Sequence, residues 1–232
     1  MWFSHNGNFY GYLDGTTNAG IALPAIFDGQ WHHILWRRSN TQSCLFVDAT
    51  QQGCTAVTNK TLEIESLILG QEQDSVSGGF DIDQDWEGIV DELLIYREAL
   101  SNAEIQSLYN NQNAGNNWNG SARTCQTTPP QPPATDYGYS DWRFDEESWN
   151  GTANEVKDSH AGHHGTAHSI PAVSGKTCNA MDLRKSSTKD YVKLGEQSLD
   201  GVEDFTVSIW HKGSSSKGKA VLSGTNSNSR KD

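Results

Sequence analysis

Basic residues are scarce in this sequence: 17 Lys and Arg stand against 29 Asp and Glu, and the formal net charge is -12. A surface of that sign repels phosphate backbones and anionic headgroups, which argues against nucleic acid and membrane partners and suits a protein that binds cations or neutral ligands. Long apolar runs are missing as well. No stretch approaches the ~18 consecutive apolar residues of a spanning helix. The opening MWFSHNGNFYGYLDG has neither the basic nor the apolar region of a secretory leader, so it reads like the interior of a domain. The G-x-S-x-G elbow, a Gly-rich phosphate loop and H-E-x-x-H are all absent, and with them the usual marks of hydrolase, nucleotide and zinc-protease chemistry. No C-x-x-C or Cys/His spacing points to zinc.

What is present is turn chemistry. The 232 residues include 22 Gly and only one persuasive helical stretch, SNAEIQSLYNN, with Ser101 and Glu104 spaced as a capping box. An all-β chain with one short helix over about 101–111 follows. Residues 2–13 alternate aromatic and polar groups around Asn6-Gly7. Residues 27–38 begin at an Asp28-Gly29 turn and continue as a strand apolar on both faces, as a central strand is. His32 and His33 are neighbours there, so they point to opposite faces and cannot share one ion. In FTVSIW, Phe205, Val207 and Ile209 face one side and Thr206, Ser208 and Trp210 the other.

Four cysteines allow three pairings. In CLFVDATQQGC a three-residue turn over 48–50 sets Cys44 opposite Cys54 on adjacent antiparallel strands, and Cys125 then pairs with Cys178 by elimination. Oxidised thiols imply an extracytoplasmic setting, extracellular or at a cell surface. Residues 113–136 are rich in Asn, Gly, Thr and Pro, with four of the six prolines in PPQPP, and read as a stiff extended linker between two segments.

The most distinctive stretch is LGQEQDSVSGGFDIDQDWEG, residues 69–88. Glu72, Asp74, Asp81, Asp83, Asp85 and Glu87, with the amides of Gln73 and Gln84, flank Gly78-Gly79, where the chain can fold back. Clustered carboxylate, carbonyl and amide oxygens on a flexible loop are what Ca²⁺ takes as ligands, about six to eight of them. Four of the eight histidines, His160, His163, His164 and His168, raise a transition-metal site against the simpler reading of a surface turn.

The run GQEQDSVSGGFDIDQ resembles the calcium loop of the pentraxins. The following IVDELLIYREALSNAEIQSLY resembles the end of a laminin-G-like, concanavalin A-like sandwich. The fold implied is an antiparallel jelly-roll sandwich. The resemblance also implies that Glu72, Asp74 and the main-chain oxygen of Gln73 hold one Ca²⁺, with Asp232 adding to it, and that Asp81 and Gln84 help to hold a second. Asp81 stands where the family has Glu. Trp2 and Tyr12 match a segment that would line the ligand pocket. From Tyr137 the chain is similar to the opening of a laminin-G-like domain, with DSHAGHHGT as its turn, and here resembles the repeated domains of the MSHA biogenesis protein MshQ and its bacterial relatives.

Residues 1–112 resemble only the second half of such a domain, and residues 137–232 only the first. Two arrangements fit: two incomplete domains cut from a tandem array, or one permuted sandwich in which the halves complete each other with their termini close. Half a sandwich would expose an apolar sheet face and unpaired edges, which favours the second. The function implied is a non-enzymatic, calcium-assisted module binding a carbohydrate or phosphorylated surface ligand, a lectin within a secreted or pilus-associated bacterial adhesin with tandem neighbours. Two alternatives stand beside it. One is a structural spacer in a repetitive surface protein. The other is a glucanase-type glycoside hydrolase with Asp81, Asp83 and Asp85 on one strand face, although positions four apart on a strand are about 13 Å apart, too far for a retaining pair at about 5–5.5 Å.

Overall fold

The computed structural model of the chain describes residues 1–3, 7–13, 16–17, 20–39, 41–125, 138–184, 190–214 and 219–227. Short strands come first: β1 (Trp2–Phe3), β2 (Asn8–Tyr10), β3 (Tyr12–Leu13), β4 (Thr16–Thr17) and β5 (Ile21–Ala22). The long β6 (Trp31–Ser39), β7 (Gln42–Val47) and β8 (Thr50–Ala56) follow, then β9 (Ser66–Leu69), β10 (Ile89–Tyr96) and helix α1 (Asn102–Asn113). The later segment supplies β11 (Tyr139–Trp142), β12 (Thr166–His168), β13 (Ala172–Ser174), β14 (Asn179–Asp182), β15 (Tyr191–Leu194), β16 (Phe205–Lys212), β17 (Lys219–Ala220) and β18 (Leu222–Thr225). The architecture is the antiparallel β sandwich with one α-helix that the sequence predicts. Among the described residues no helix is long and apolar enough to cross a membrane.

One layer is an eight-stranded sheet in the order β13-β14-β10-β16-β6-β7-β8, with β11 also paired to β10. The facing layer consists of two four-stranded sheets, β17-β1-β2-β5 and β12-β15-β9-β18. Strands from the two sides of the 126–137 segment therefore interleave: β16 lies between β6 and β10, and β9 lies between β15 and β18. Strand β1 pairs with β17. The apolar residues that alternate inward from both layers, among them Phe9, Trp36, Leu67, Leu93, Val192, Val207 and Ile209, form one core.

Strand β16 is buried on two unlike faces. Phe205, Val207 and Ile209 enter the sandwich core. The opposite face meets polar partners and the helix: Thr206 Oγ1 accepts from the Leu100 amide, Ser208 Oγ bonds His33 Nε2 at 2.6 Å, and Trp210 Nε1 donates to Gln112 of α1. Helix α1 starts on the expected capping box, with Ser101 and Glu104 bonded reciprocally, and packs Ile105 and Leu108 against Leu35, Phe46 and Leu94. His32 and His33 do diverge: His32 lies between Asp28 and Asp48 at the surface, and His33 is buried.

Several local expectations are corrected. The β7–β8 turn has two residues, Asp48 and Ala49, both at positive φ, as tight hairpin turns demand. A bulge at Gln52 then adds the residue that brings Cys54 opposite Cys44. Both disulfides, Cys44–Cys54 and Cys125–Cys178, are present. Within TLEIESLILG only Ser66–Leu69 forms a strand. The linker expected from residue 113 is folded as far as Cys125: Asn116 bridges Ala122, and the Arg123 side chain is buried in an ion pair. PPQPP lies outside the described residues.

Candidate metal loop

Residues 70–88 leave β9 and return to β10 as a closed loop. Its base is set by the Trp86 amide donating to Gly70 O at 2.8 Å. At the tip, Ser75 and Gly78 exchange both backbone bonds, at 3.1 and 2.9 Å. Gly79 follows at φ +72, and a Cβ there would lie 2.6 Å from Asp74 Cβ. No L side chain fits that conformation in that space, so glycine lets the returning arm lie directly against the acidic outgoing arm.

On the return, Asp81 Oδ1 accepts from the Asp83 amide and starts a single 3-10 turn, Ile82–Gln84. The strand on which the glucanase alternative relied is not formed, because Asp81 caps its own turn. Asp81 and Asp83 are exposed, Glu72, Asp74 and Gln84 are half-buried, and Asp85 is buried.

The side chain of Gln73 faces inward and is 6 % exposed. Its Nε2 donates to Ser66 O at 3.1 Å and Ser223 O at 2.9 Å, and its Oε1 accepts from the Ser77 amide at 3.1 Å. With the side chain so committed, the main-chain oxygen is the ligand Gln73 can offer. Nothing in the sequence pointed to Ser66, Ser77 or Ser223. Their signal is spatial: Ser66 Oγ meets Ser77 Oγ at 2.9 Å, and Ser223, 152 positions from Gln71, donates its hydroxyl to Gln71 O at 2.7 Å.

The side chains of Glu72, Asp74 and Asp81 offer oxygens, which suit a hard cation, and Gly79 lets the returning arm pass close to Asp74. Among the described residues no three His, Cys, Asp or Glu side chains converge as a metal cluster. Glu72 and Asp74, expected with Gln73 O at one ion, and Asp81, expected with Gln84 at a second, are therefore not gathered into a single three-carboxylate site. Asp232 lies outside the described residues. So do the side chains of Trp2 and Tyr12, although their backbones form β1 and β3.

The four clustered histidines are spent on packing, in keeping with a turn. His160 stacks on Tyr139 at 3.6 Å, and His168 on Tyr191 at 4.4 Å. His163 Nδ1 bonds Ser140 Oγ, and His164 Nδ1 accepts from the Asp158 amide. Burial holds His163, His164 and His168 below the usual imidazole pKa. The turn is organised by Asp158, which accepts the amides of Asp141, His160, Ala161 and His163.

The Pentaxin family model matches residues 2–121, just over half of the chain. Pentraxin-4 of Homo sapiens is 38% identical over 93 residues, 38% of this chain and 20% of that protein. C-reactive protein of Danio rerio is 28% identical over 117 residues, 48% of this chain and 52% of that protein. C-reactive protein 1.1 of Limulus polyphemus is 31% identical over 109 residues, 44% of this chain and 45% of that protein. The chain thus spans about half or less of the length of these relatives. No solved structure matches.

Proposed function

Given that the chain belongs to the Pentaxin family, we propose that it is a non-enzymatic binding module in which Ca²⁺ on the 70–88 loop helps to seat a carbohydrate or phosphorylated surface ligand. The observation that carries this reading is the seating of Gly79 on Asp74, which lays the returning arm of an acid-rich loop against its outgoing arm. A divalent cation offsets repulsion among carboxylates carried on one such loop. Glu72, the Gln73 carbonyl, Asp74, Asp81 and Gln84 are the ligands assigned, with Asp232 beside them and Trp2 and Tyr12 as ligand contacts. The cation's contribution is Lewis-acid attraction for an anionic or hydroxyl-bearing ligand.

The interleaving of β16 and β9 with strands of the other segment supports one composite domain, permuted relative to the laminin-G-like order. Two disulfides support an oxidising compartment. We further propose, on the resemblance read from the sequence of residues 137–232 alone, a place in a bacterial surface adhesin with further domains in tandem.

The test is thermal unfolding with Ca²⁺ or EGTA, followed by a glycan and phosphoryl-ligand array in both. With Kd of about 1 mM, as extracellular modules have, 10 mM Ca²⁺ adds about 1.4 kcal/mol. Array binding that EGTA abolishes and Asp74→Asn weakens supports the module. A melting shift with a blank array leaves the spacer, and no shift at all refutes the calcium role.

A further inference from the structure

The loop faces a physical difficulty of its own. Glu72, Asp74, Asp81, Asp83, Asp85 and Glu87 place six carboxylates on one short excursion, and like charges so close push a flexible chain apart. Something must hold the first arm in place before any cation arrives.

We infer that Gln73 and Ser223 are positioning residues for the cation loop, so that cation binding is coupled to the docking of strand β18 on β9. This rests on the calcium reading above. Gln73 sits between the two acids Glu72 and Asp74, and its amide makes three bonds to backbone groups on three different pieces of chain: Ser66 on β9, Ser77 in the loop and Ser223 on β18. A buried amide satisfied in this way holds one orientation, because any rotation leaves polar atoms unpaired. Ser223 acts twice. Its carbonyl accepts from Gln73, and its hydroxyl donates to Gln71 O. Its place is fixed by the ladder, in which Ser223 lies opposite Ile68.

Outgoing-arm geometry is thus set by a strand far away in sequence. Two consequences follow from linkage. Displacing β18 lowers cation affinity, and a bound cation tightens β18 on β9 by the same factor. Positioning groups behind metal ligands typically carry a tenfold or larger share of affinity.

The experiment uses the full chain with Ser223→Ala, Ser223→Thr and Gln73→Leu, the last of which keeps the main-chain oxygen. Calorimetry with Ca²⁺ gives affinity, and amide hydrogen exchange gives the order of residues 71–77 and 222–225 in EGTA and in Ca²⁺. Ser223→Ala and Gln73→Leu are expected to weaken Ca²⁺ roughly tenfold and to speed exchange in both stretches even in EGTA. Ser223→Thr, which keeps the hydroxyl, is expected to restore both. In the wild type, Ca²⁺ is expected to slow exchange across 222–225. Unchanged loop exchange in EGTA overturns the positioning role whatever the cation does. Unchanged affinity in Ser223→Ala and Gln73→Leu overturns the coupling. A wild type with ordered loop exchange and no Ca²⁺ heat overturns the calcium reading while leaving the positioning of the arm intact.

Discussion

The Arg123 guanidinium meets the Asp145 carboxylate at 2.8 Å, with both side chains almost fully buried. The same Nη2 lies 2.5 Å from Glu92 Oε1. Glu92 sits at φ +53 in the bulge of β10, and its other oxygen accepts from Gln112 of α1. Next to it, Asp91 accepts the amides of Lys176 and Thr177 in the β13–β14 turn. This junction gathers strand, helix, the folded part of the linker and the later segment around the Arg123 guanidinium. Replacing Arg123 by Met leaves buried carboxylates without that charge, and breaking one side of such a pair costs about 3–5 kcal/mol. Urea unfolding is the measurement. Adding Glu92→Gln to Arg123→Met is expected to recover part of the loss, as partners in one network do.

The same junction makes stability depend on pH. Burial outweighs the opposing pull of Arg123 and Arg143 and raises the Glu92 pKa to about 8. A carboxyl whose folded pKa is raised gives stability that is complete below its unfolded value, near 4.5, and is lost as pH rises through about 8. Buried His33 and His211 act in the opposite sense. Their pKa values fall to about 4 from 6.5, so their contribution is present above 6.5 and lost as pH drops toward 4. Chemical unfolding from pH 4 to 9 is expected to give a maximum in the mildly acidic range. Glu92→Gln is expected to flatten the alkaline side and, because the Glu92 contribution already falls from pH 4.5 upward, to steepen the acid rise.

The two disulfides close loops of different size, 10 and 53 positions. On chain entropy alone, Cys44–Cys54 is worth about 2.7 kcal/mol and Cys125–Cys178 about 4 kcal/mol. The second also holds the backbone that carries Arg123, two residues away. Cys125→Ala/Cys178→Ala is therefore expected to cost more than Cys44→Ala/Cys54→Ala. It is also expected to cost more at pH 8 than at pH 5, where the junction acids take up protons. Equal costs at both pH values would show that Arg123 keeps its place without the disulfide.

Short-range rules carried the reading of the sequence where one element decides the outcome. The Ser101–Glu104 cap, the alternation of Phe205, Val207 and Ile209, and the opposition of Cys44 and Cys54 all follow from local spacing. Asp81 caps a 3-10 turn through its own side chain where the glucanase alternative needed a strand, and a backbone bulge at Gln52 replaces the third turn residue expected before Cys54. What no local rule could reveal was convergence over distance. Arg123 looked like part of a polar linker until Glu92 and Asp145 gave it partners, and Ser223 looked like one serine among many until Gln73 lay beneath it.

Gly79 offers the sharpest separation of loop shape from loop charge. Alanine there must adopt positive φ, which costs an L-residue about 1–2 kcal/mol, and its methyl group meets Asp74 at 2.6 Å, where backbone on both sides must move. Gly78 is the control. It does not have positive φ, and a Cβ added to it meets Ser75 Oγ at 3.2 Å, which a hydroxyl rotation relieves. Gly79→Ala is expected to lower stability in EGTA by about 1–2 kcal/mol and to abolish the Ca²⁺-induced rise in Tm, with every carboxylate still present. Gly78→Ala is expected to keep that rise. Since both variants carry the same charge, a Ca²⁺ response surviving in Gly79→Ala would mean that acidity alone attracts the ion and that the apposition of the two arms has no part in it.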